Sequence, residues 1–268
     1  MPRAHGPAAP LLVCLLGAAA AGAEVKSEGI LRVPESASGP LPAVVFVTSS
    51  PGFDGRGAFH SEALNASGFA TLELDVTVGK GLPANPIEHL PRVFAALDTL
   101  ASDPRIDPDR IGLMGVSYGG TLALLASSEA LAPRERGRRF AAHLALYPVC
   151  WRHHAIAMGR TPWPRMERWL YRKVTGRPVH ILVGDRDGYD KPGDCGRFVA
   201  ALDERVRPFF SVTAYPTATF AWDARFGSVS YEANANHGTG GMVTTVADAD
   251  IAEQSRQFAV AFFARSLR

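Results

Sequence analysis

A serine flanked by glycines, at a predicted strand-to-helix junction, constrains this chain most. The motif Gly-Val-Ser-Tyr-Gly-Gly occupies residues 115–120, at the end of a predicted buried strand at 110–116 and before an Ala/Leu-rich run. A sharp turn at Ser117 would leave no room for side chains two residues away, which explains glycine at positions 115 and 119. The pattern predicts a nucleophile elbow, with the Ser117 hydroxyl exposed at the end of a strand. The alternative is a glycine-rich turn with a purely structural role.

Apolar runs alternate with helical patterns along the rest of the chain. We predict strands at 43–49, 69–75, 110–116, 143–147, 179–183 and 209–215, and helices at 57–67, 91–102, from 119, at 195–206 and at 248–265. Wholly apolar strand segments are typical of a parallel sheet covered on both faces. The sequence therefore predicts one α/β domain over residues 24–268, with a mostly parallel sheet and helices on both faces.

Two segments interrupt the alternation. Residues 151–177 contain three tryptophans and two prolines after a predicted strand end, which indicates a cap-like insertion. Residues 220–245 form a long stretch rich in glycine and asparagine. Loops of that length in compact domains are usually functional or mobile.

The N-terminus has the order of a secretory signal. Arg3 precedes an apolar run at 11–21, and the small residues Ala21-Gly22-Ala23 precede the polar Glu24. We expect cleavage after Ala23 and a periplasmic or secreted protein. The apolar run is short for a bilayer span, so no stable membrane span is expected after cleavage. The alternative is an uncleaved N-terminal anchor.

The charge distribution argues against nucleic acid as a partner. The chain has 28 Lys+Arg and 26 Asp+Glu, a net charge of +2. The densest basic run, at 134–139, is short and includes Glu135, whereas nucleic-acid binders concentrate positive charge on one face. The histidines lack cysteines or carboxylates at metal-ligand spacing, so no metal site is expected.

Removal of the signal segment would leave two cysteines, Cys150 and Cys195. Each follows a predicted strand, and those strands are expected to be neighbours in the sheet. An even pair in an oxidising compartment favours a disulfide. Two buried free thiols are the alternative.

An acid and a base should follow Ser117 along the chain. Asp187, directly after a predicted strand, is our candidate for the acid, with Asp185 and Asp190 as alternatives. The order serine, acid, histidine leaves His237 as the candidate base, because no other histidine follows Asp187. The alternatives are turn aspartates and a loop histidine that are merely solvated.

The oxyanion donors are predicted from backbone position. The N–H group of Tyr118 begins the helix after the elbow, where the helix dipole favours negative charge. The second donor should come from the loop after the first buried strand, at Ser49 or Ser50. The alternative is that this is a plain connecting loop.

These residues resemble the dienelactone hydrolase family, a group of α/β hydrolases. The resemblance runs over nearly the whole chain after residue 24 and includes the elbow and residues 42–45, 54–59, 62–65, 68–72, 147–150, 182–187, 215–216 and 262–265. It implies an α/β-hydrolase fold and a nucleophile, aspartate and histidine without a cofactor. The family's nucleophile and acid correspond to Ser117 and Asp187.

The sequence departs from that family at the catalytic histidine. The segment Tyr-Pro-Thr-Ala-Thr-Phe-Ala-Trp-Asp at 215–223 has Phe220 where the family's histidine would stand. Two functions are therefore open. One is hydrolysis of a small ester, lactone or thioester, with His237 as the base. The other is a non-catalytic binding protein with a hydrolase fold. The sequence does not specify an oligomeric state.

Overall fold

The computed structural model describes residues 24–26, 29–35, 39–78, 81–83, 85–133, 137–164, 166 and 168–267. The predicted signal segment, residues 1–23, lies outside the described residues. Within the described part of the chain, no helix combines the length and the apolar character needed to cross a membrane.

An eight-stranded sheet forms the centre of the molecule, in the order β1-β2-β4-β3-β5-β6-β7-β8. Strands β3 to β8 are mutually parallel, and β1 and β2 add an antiparallel edge. The strands are β1 (Glu24–Lys26), β2 (Gly29–Arg32), β3 (Leu41–Val47), β4 (Ala70–Leu74), β5 (Ile106–Val116), β6 (His143–Leu146), β7 (Val179–Arg186) and β8 (Phe210–Thr219). The carboxyl ends of the parallel strands lie at one edge, where α/β folds place their sites.

Helices cover both faces of this sheet. They are α1 (Arg56–Ala66), α2 (Leu90–Ala101), α3 (Tyr118–Ala126), α4 (Cys150–Ala157), α5 (Asp194–Ala200), the short α6 (Ala235–Gly238) and α7 (Ala249–Ser266). Helices α1 and α7 share one buried apolar cluster, and α2 to α5 share the other. The predicted α/β-hydrolase architecture, a mostly parallel sheet between helical layers, is confirmed.

The predicted inner face of the last helix matches the structure closely. Ile251, Ser255 and Phe262 are buried, and Phe258 is half-buried. The helix predicted at 195–206 is shorter than expected, because α5 ends at Ala200. The side chain of Asp203 then accepts the N–H of Arg205 in a local turn, which competes with helix continuation.

Two irregular segments have more structure than the sequence indicated. The stretch at 220–245 contains a two-stranded hairpin, β9 (Ser228–Glu232) and β10 (Gly241–Thr245), as well as α6. The segment at 151–177 contributes helix α4, and Ile156, Met166 and Leu170 are buried in the main core. Much of the predicted insertion therefore packs against the sheet. The edge strands β1 and β2 were not predicted.

Candidate active site

Ser117 lies between β5 and α3 with a strained backbone. Its φ is 53° and its ψ is −114°, a conformation that residues with a side chain rarely adopt. Its N–H donates to the carbonyl of Leu146 at 3.0 Å, which anchors the turn to the end of β6. Strain of this kind persists only where the surroundings hold it, and it concentrates at functional sites.

The flanking glycines are required by space, as the sequence predicts. A Cβ at Gly115 would lie 2.2 Å from the carbonyl oxygen of Gly119. A Cβ at Gly119 would lie 2.1 Å from the carbonyl oxygen of Val47 and 2.7 Å from that of Thr48. The start of α3 is therefore in direct contact with the end of β3 and the loop that follows it.

That contact brings the two predicted oxyanion donors to the same edge of the sheet. Tyr118 is the first residue of α3, and the first N–H groups of a helix have no partner within the helix. Ser49 is two residues beyond β3 and is buried. Its carbonyl accepts the N–H of Gly52, and its hydroxyl contacts Arg56 and Asp54. The loop at Ser49 is thus held at both its backbone and its side chain.

Asp187 directly follows β7 and is buried. One carboxyl oxygen, Oδ1, accepts the N–H groups of Tyr189 and Asp190 at 2.8 and 3.4 Å. The other oxygen, Oδ2, is buried without a hydrogen-bond partner among the described residues. Burial raises the pKa of Asp187 to about 7, since the charged form is poorly solvated there.

Phe220 lies beside this acid. Arg186 and Thr219 are paired in the parallel ladder of β7 and β8, so the residues that follow them, Asp187 and Phe220, leave adjacent strands together. The Phe220 ring packs between Tyr147 and Tyr189, with centroid distances of 5.1 and 4.7 Å. A phenyl ring offers no hydrogen bond to Oδ2 of Asp187, which has no partner among the described residues.

His237 has a different partner from the one predicted. Its Nε2 lies 2.5 Å from Oδ2 of Asp194, at the start of α5, and its ring stacks on Trp151. The predicted pair between Asp187 and His237 is absent from the hydrogen bonds that the described residues form. The pair does not form because the fold of the 220–245 segment places His237 beside the start of α5. No described contact joins the ring to Ser117, and its role as base stays a prediction.

The alternative acids are placed differently. Asp190 is buried, and its two oxygens accept the N–H groups of Cys150 and Trp151 at the start of α4. Burial also raises the pKa of Asp190, but two helix N-terminal amides stabilise its ionised form. Repulsion from the nearby Asp187 raises the pKa of Asp190 further, so the net shift is upward despite these two amides. Asp185 lies within β7 and is half-buried.

The predicted disulfide between Cys150 and Cys195 is present, with Cα atoms 5.0 Å apart. It joins the starts of α4 and α5 and closes a loop of 45 residues, worth about 4 kcal/mol in the chain-entropy account. Both sulfurs lie within 4.8 Å of an Asp190 oxygen. Because the sulfurs are bonded to each other, this cluster lacks the thiolates that would bind a metal.

Sequence reasoning missed a buried polar cluster beside the site. Arg56, His60, Tyr147 and Asp223 are all buried and are connected by hydrogen bonds. They lie far apart in the sequence, on α1, after β6 and after β8. Their one sequence signal was the resemblance of residues 54–59 and 147–150 to a family motif.

The matching family model is described as the prolyl oligopeptidase family and covers residues 88–219, just under half of the chain. That match does not confirm the narrower resemblance to dienelactone hydrolases. No curated protein sequence matches the chain.

Similar solved structures share the fold at low sequence identity. Thermogutta terrifontis esterase 2 phosphonylated by cyclosarin has a TM-score of 0.66 at 14% identity, covering 92% of this chain and 95% of that one. A sugar hydrolase from Lactococcus lactis has a TM-score of 0.63 at 17% identity, covering 90% and 96%. Est1E from Butyrivibrio proteoclasticus has a TM-score of 0.56 at 15% identity, covering 88% and 93%. The chain therefore has the α/β-hydrolase fold.

Proposed function

We propose that the protein is a serine hydrolase that acts on carboxylic esters, including lactones and thioesters, with Ser117 as its nucleophile. The observation that carries this proposal is the strained Ser117 backbone between β5 and α3. The close glycine contacts at 115 and 119 maintain that strain and expose the serine at the edge of the sheet. The similarity to esterases supports the same chemistry.

In this mechanism Oγ of Ser117 attacks the acyl carbon, and its proton passes to the base. The carbonyl oxygen becomes an oxyanion that accepts the N–H groups of Tyr118 and Ser49. The bond to the leaving alcohol or thiol then breaks, and the leaving group takes the proton from the base. Water attacks the acyl-enzyme by the same sequence and releases the acid and free Ser117.

We assign the base to His237, whose ring is held by Asp194 until substrate binds. A base must bring a ring nitrogen within roughly 2.6–3.2 Å of Oγ. Asn236 and His237 have left-handed backbones, with φ of 48° and 60°, and glycines follow at 238 and 240. In the proposed cycle this loop rotates when substrate binds and carries the imidazole from above α5 to Ser117.

Covalent labelling tests the nucleophile. The Thermogutta esterase is phosphorylated by paraoxon, and we expect a fluorophosphonate probe to label this protein in the same way. Peptide mapping should find the label on Ser117. Ser117→Ala should abolish labelling, whereas Ser228→Ala, at an exposed position of the hairpin, should leave it unchanged. Folded protein that takes no label, or takes it elsewhere, would contradict the proposal.

Substitution of the histidine tests the base. His237→Ala should lower turnover of a simple aryl ester by at least ~10³-fold with little change in melting temperature. His154→Ala, on the neighbouring helix α4, is the matched control and should retain wild-type turnover. Equal rates for wild type and His237→Ala would remove His237 from the mechanism.

A second function is favoured by one specific observation. Phe220 stands beside Asp187, and the buried Oδ2 of that acid has no described hydrogen-bond partner. A protein without a working base would bind ligands at the edge of the sheet without turning them over. Slow stoichiometric labelling of Ser117, with ester turnover no higher in wild type than in His237→Ala, would favour this binding function.

We further propose that the protein works in the periplasm or outside the cell. The Cys150–Cys195 disulfide suits an oxidising compartment, and the signal pattern at residues 1–23 predicts export. N-terminal sequencing of protein from an export-competent host should begin at Glu24. Recovery of Met1 or Pro2 from the secreted fraction would contradict export with cleavage.

A further inference from the structure

A cluster of buried polar side chains lies beside Ser117 and has no part in the mechanism above. We call Arg56, Tyr147, Asp223 and His60 the Arg56 cluster. Relative exposures are 7% for Arg56, 8% for Asp223 and 0% for both Tyr147 and His60. Burial of this many polar groups is costly unless each is paired, so the arrangement needs an explanation.

Every member of the cluster is hydrogen-bonded. Arg56 donates from Nη1 to the Tyr147 hydroxyl at 3.1 Å and from Nη2 to the Ser49 hydroxyl. Tyr147 donates to Oδ1 of Asp223, and His60 Nε2 lies 2.8 Å from Oδ2 of the same carboxylate. The Nε of Arg56 also donates to Asp54.

These bonds connect the three segments that build the site. Ser49 carries one predicted oxyanion donor. Tyr147 follows Leu146, whose carbonyl accepts the N–H of Ser117. Asp223 lies three residues after Phe220, on the segment that leaves β8 beside Asp187. Arg56 is the member that contacts both the oxyanion loop and the residue next to the anchor of Ser117.

The hydrogen bonds of the Arg56 cluster also hold the strained backbone of Tyr147 in place. Its φ is 38°, a left-handed conformation that is unfavourable for a residue with a bulky side chain. Its N–H donates to Leu182, and its hydroxyl is held by Arg56 and Asp223. A strained residue persists where surrounding bonds over-determine it, and here those bonds come from the cluster.

We infer that Arg56 is a positioning residue for the Ser117 site, which fixes the oxyanion loop at Ser49 relative to the Ser117 anchor through Tyr147. The inference rests on the proposed function of Ser117. Arginine suits the role because its planar fork holds several hydrogen bonds at fixed angles, which a lysine ammonium does not reproduce. Loss of one oxyanion donor lowers rates by ~10²–10³-fold in serine hydrolases, so displacement of the Ser49 loop should have a measurable effect.

The charges in the cluster are stable. Burial lowers the pKa of Arg56, but Tyr147, Asp54 and Asp223 offset that effect, so its pKa lies above the ordinary value. Burial likewise raises the pKa of Asp223, but the bonds from His60 and Tyr147 and the charge of Arg56 bring it below the ordinary value. Arg56 therefore remains charged between Asp54 and Asp223.

The test measures how fast a fluorophosphonate labels Ser117 in the full chain. Rates over a range of probe concentrations separate the maximal labelling rate from the concentration for half-maximal rate. Arg56→Met should lower the maximal rate at least tenfold and leave the half-maximal concentration nearly unchanged. Arg56→Lys keeps the positive charge but loses the planar guanidinium group. Its maximal labelling rate should therefore fall between those of wild type and Arg56→Met.

The control is Arg139→Met. Arg139 forms an ion pair with Glu129 at 2.9 Å, outside the residues assigned to the site. Its loss should affect melting temperature without altering the labelling rate. If Arg56 acts only on stability, Arg56→Met should behave like Arg139→Met once both are measured well below their melting temperatures, and the inference is then wrong.

Two further variants keep the inference testable if Arg56→Met does not fold. Tyr147→Phe removes the hydrogen bond between Arg56 and Tyr147, and Ser49→Ala removes the one between Arg56 and Ser49. Both variants keep the Arg56 guanidinium. Each should lower the maximal labelling rate, and the double variant should lose less than the product of the two effects, because both hydrogen bonds act through Arg56. Wild-type rates in both single variants would overturn the inference, whereas wild-type protein that does not label would instead overturn the proposed function.

Discussion

The elbow at Ser117, the proposed nucleophile, is packed more tightly than the loop that carries His237, the proposed base. We call these two regions the nucleophile side and the base side of the site. At the elbow, a Cβ added at Gly119 would lie 2.1 Å from a backbone carbonyl oxygen. On the loop that carries His237, a Cβ added at Gly238 would lie 3.1 Å from the edge of the Trp151 ring. The first contact involves the backbone of two core elements, and the second involves one side chain near the surface.

This difference shows which of the two proposed catalytic residues is fixed in place by the fold. Ser117 is held by β5, α3, β3 and the end of β6, so its position is part of the fold. The His237 side chain is held by Asp194 and a ring stack, and its loop by the N–H groups of Asn236 and His237, which donate to Gly188 and Tyr189; a loop rotation can exchange these contacts. We therefore expect changes at the elbow to damage folding and activity together, and changes on the base side to alter rates more than stability.

The largest expected effect comes from Gly119→Ala. The added methyl group would overlap the carbonyl oxygens of Val47 and Thr48, so β3 and α3 must separate. We expect a loss of at least about 3 kcal/mol in the free energy of unfolding, or no soluble protein, together with loss of Ser117 labelling. Gly196→Ala is the control, since that helical position faces open space and alanine should be neutral or up to about 1 kcal/mol more stable. Denaturant unfolding measures the stability of both variants. A Gly119→Ala protein that is stable and labels at Ser117 would show that the elbow is packed no more tightly than the loop that carries His237.

Asp187 should make stability depend on pH. Its folded pKa of about 7 lies above the ordinary value of 3.8, so the folded protein holds this proton more tightly than the unfolded chain does. The free energy of unfolding should therefore fall as pH rises from about 4 to about 7 and stay low above that. Asp187→Asn cannot ionise and should lose this part of the pH dependence, becoming relatively more stable above pH 7. Urea unfolding at a series of pH values measures the difference, and parallel curves for the two proteins would show that Asp187 does not have this raised pKa.

Phe220→His should place a base beside Asp187 and make Ser117 more reactive. An imidazole beside Asp187 would give Oδ2 a hydrogen-bond donor and lower the pKa of that carboxyl, while placing a base after β8. We expect Ser117 labelling to accelerate about tenfold or more, equivalent to about 1.4 kcal/mol at the barrier. Phe226→His, at an exposed position of the same segment, is the matched control and should have the wild-type rate. A Phe220→His protein that labels no faster would mean that residue 220 does not face Ser117.

The smallest effect is expected from Gly238→Ala. Its φ of 81° is unfavourable for alanine, and the new methyl group would contact Trp151. A destabilisation of about 1 kcal/mol is expected, with a change in Trp151 fluorescence as the stacked His237 ring shifts. A loss as large as that of Gly119→Ala would show that the base side is as rigid as the elbow.

Local signals in the sequence were sufficient for the sheet and the elbow. The strand before Ser117 is apolar and buried over its last six residues, and glycines occur where the turn demands them, so burial and steric rules predict both. Helix α7 was found within one residue at each end because its apolar spacing is regular and Asp248 caps its start. These features depend on neighbours in the chain.

The partners of the acid and base could not be predicted in the same way. The sequence order serine, acid, histidine selected Asp187 for His237, but the bond goes to Asp194, seven residues later and on a different element. The hairpin β9–β10 decides this, because His237 lies in the connection between its two strands. Each strand has only five residues, and β9 has no buried residue that would mark it as part of the core. The Arg56 cluster was missed for a related reason: its members are separated by up to 167 residues, from Arg56 to Asp223, and only the closed fold brings them together.

The bridge between Cys150 and Cys195 also changes what proteolysis would do to this molecule. The chain between α4 and β7 passes over the surface at Met158, which is exposed, and at Gly159 to Thr161. A protease that cut there would leave two fragments still joined by the disulfide, and strand β7 would remain paired between β6 and β8. Such a nicked protein would migrate as an intact chain until a reductant was added. Because the two fragments stay paired in the sheet, the Ser117 site would be retained after the chain is cut.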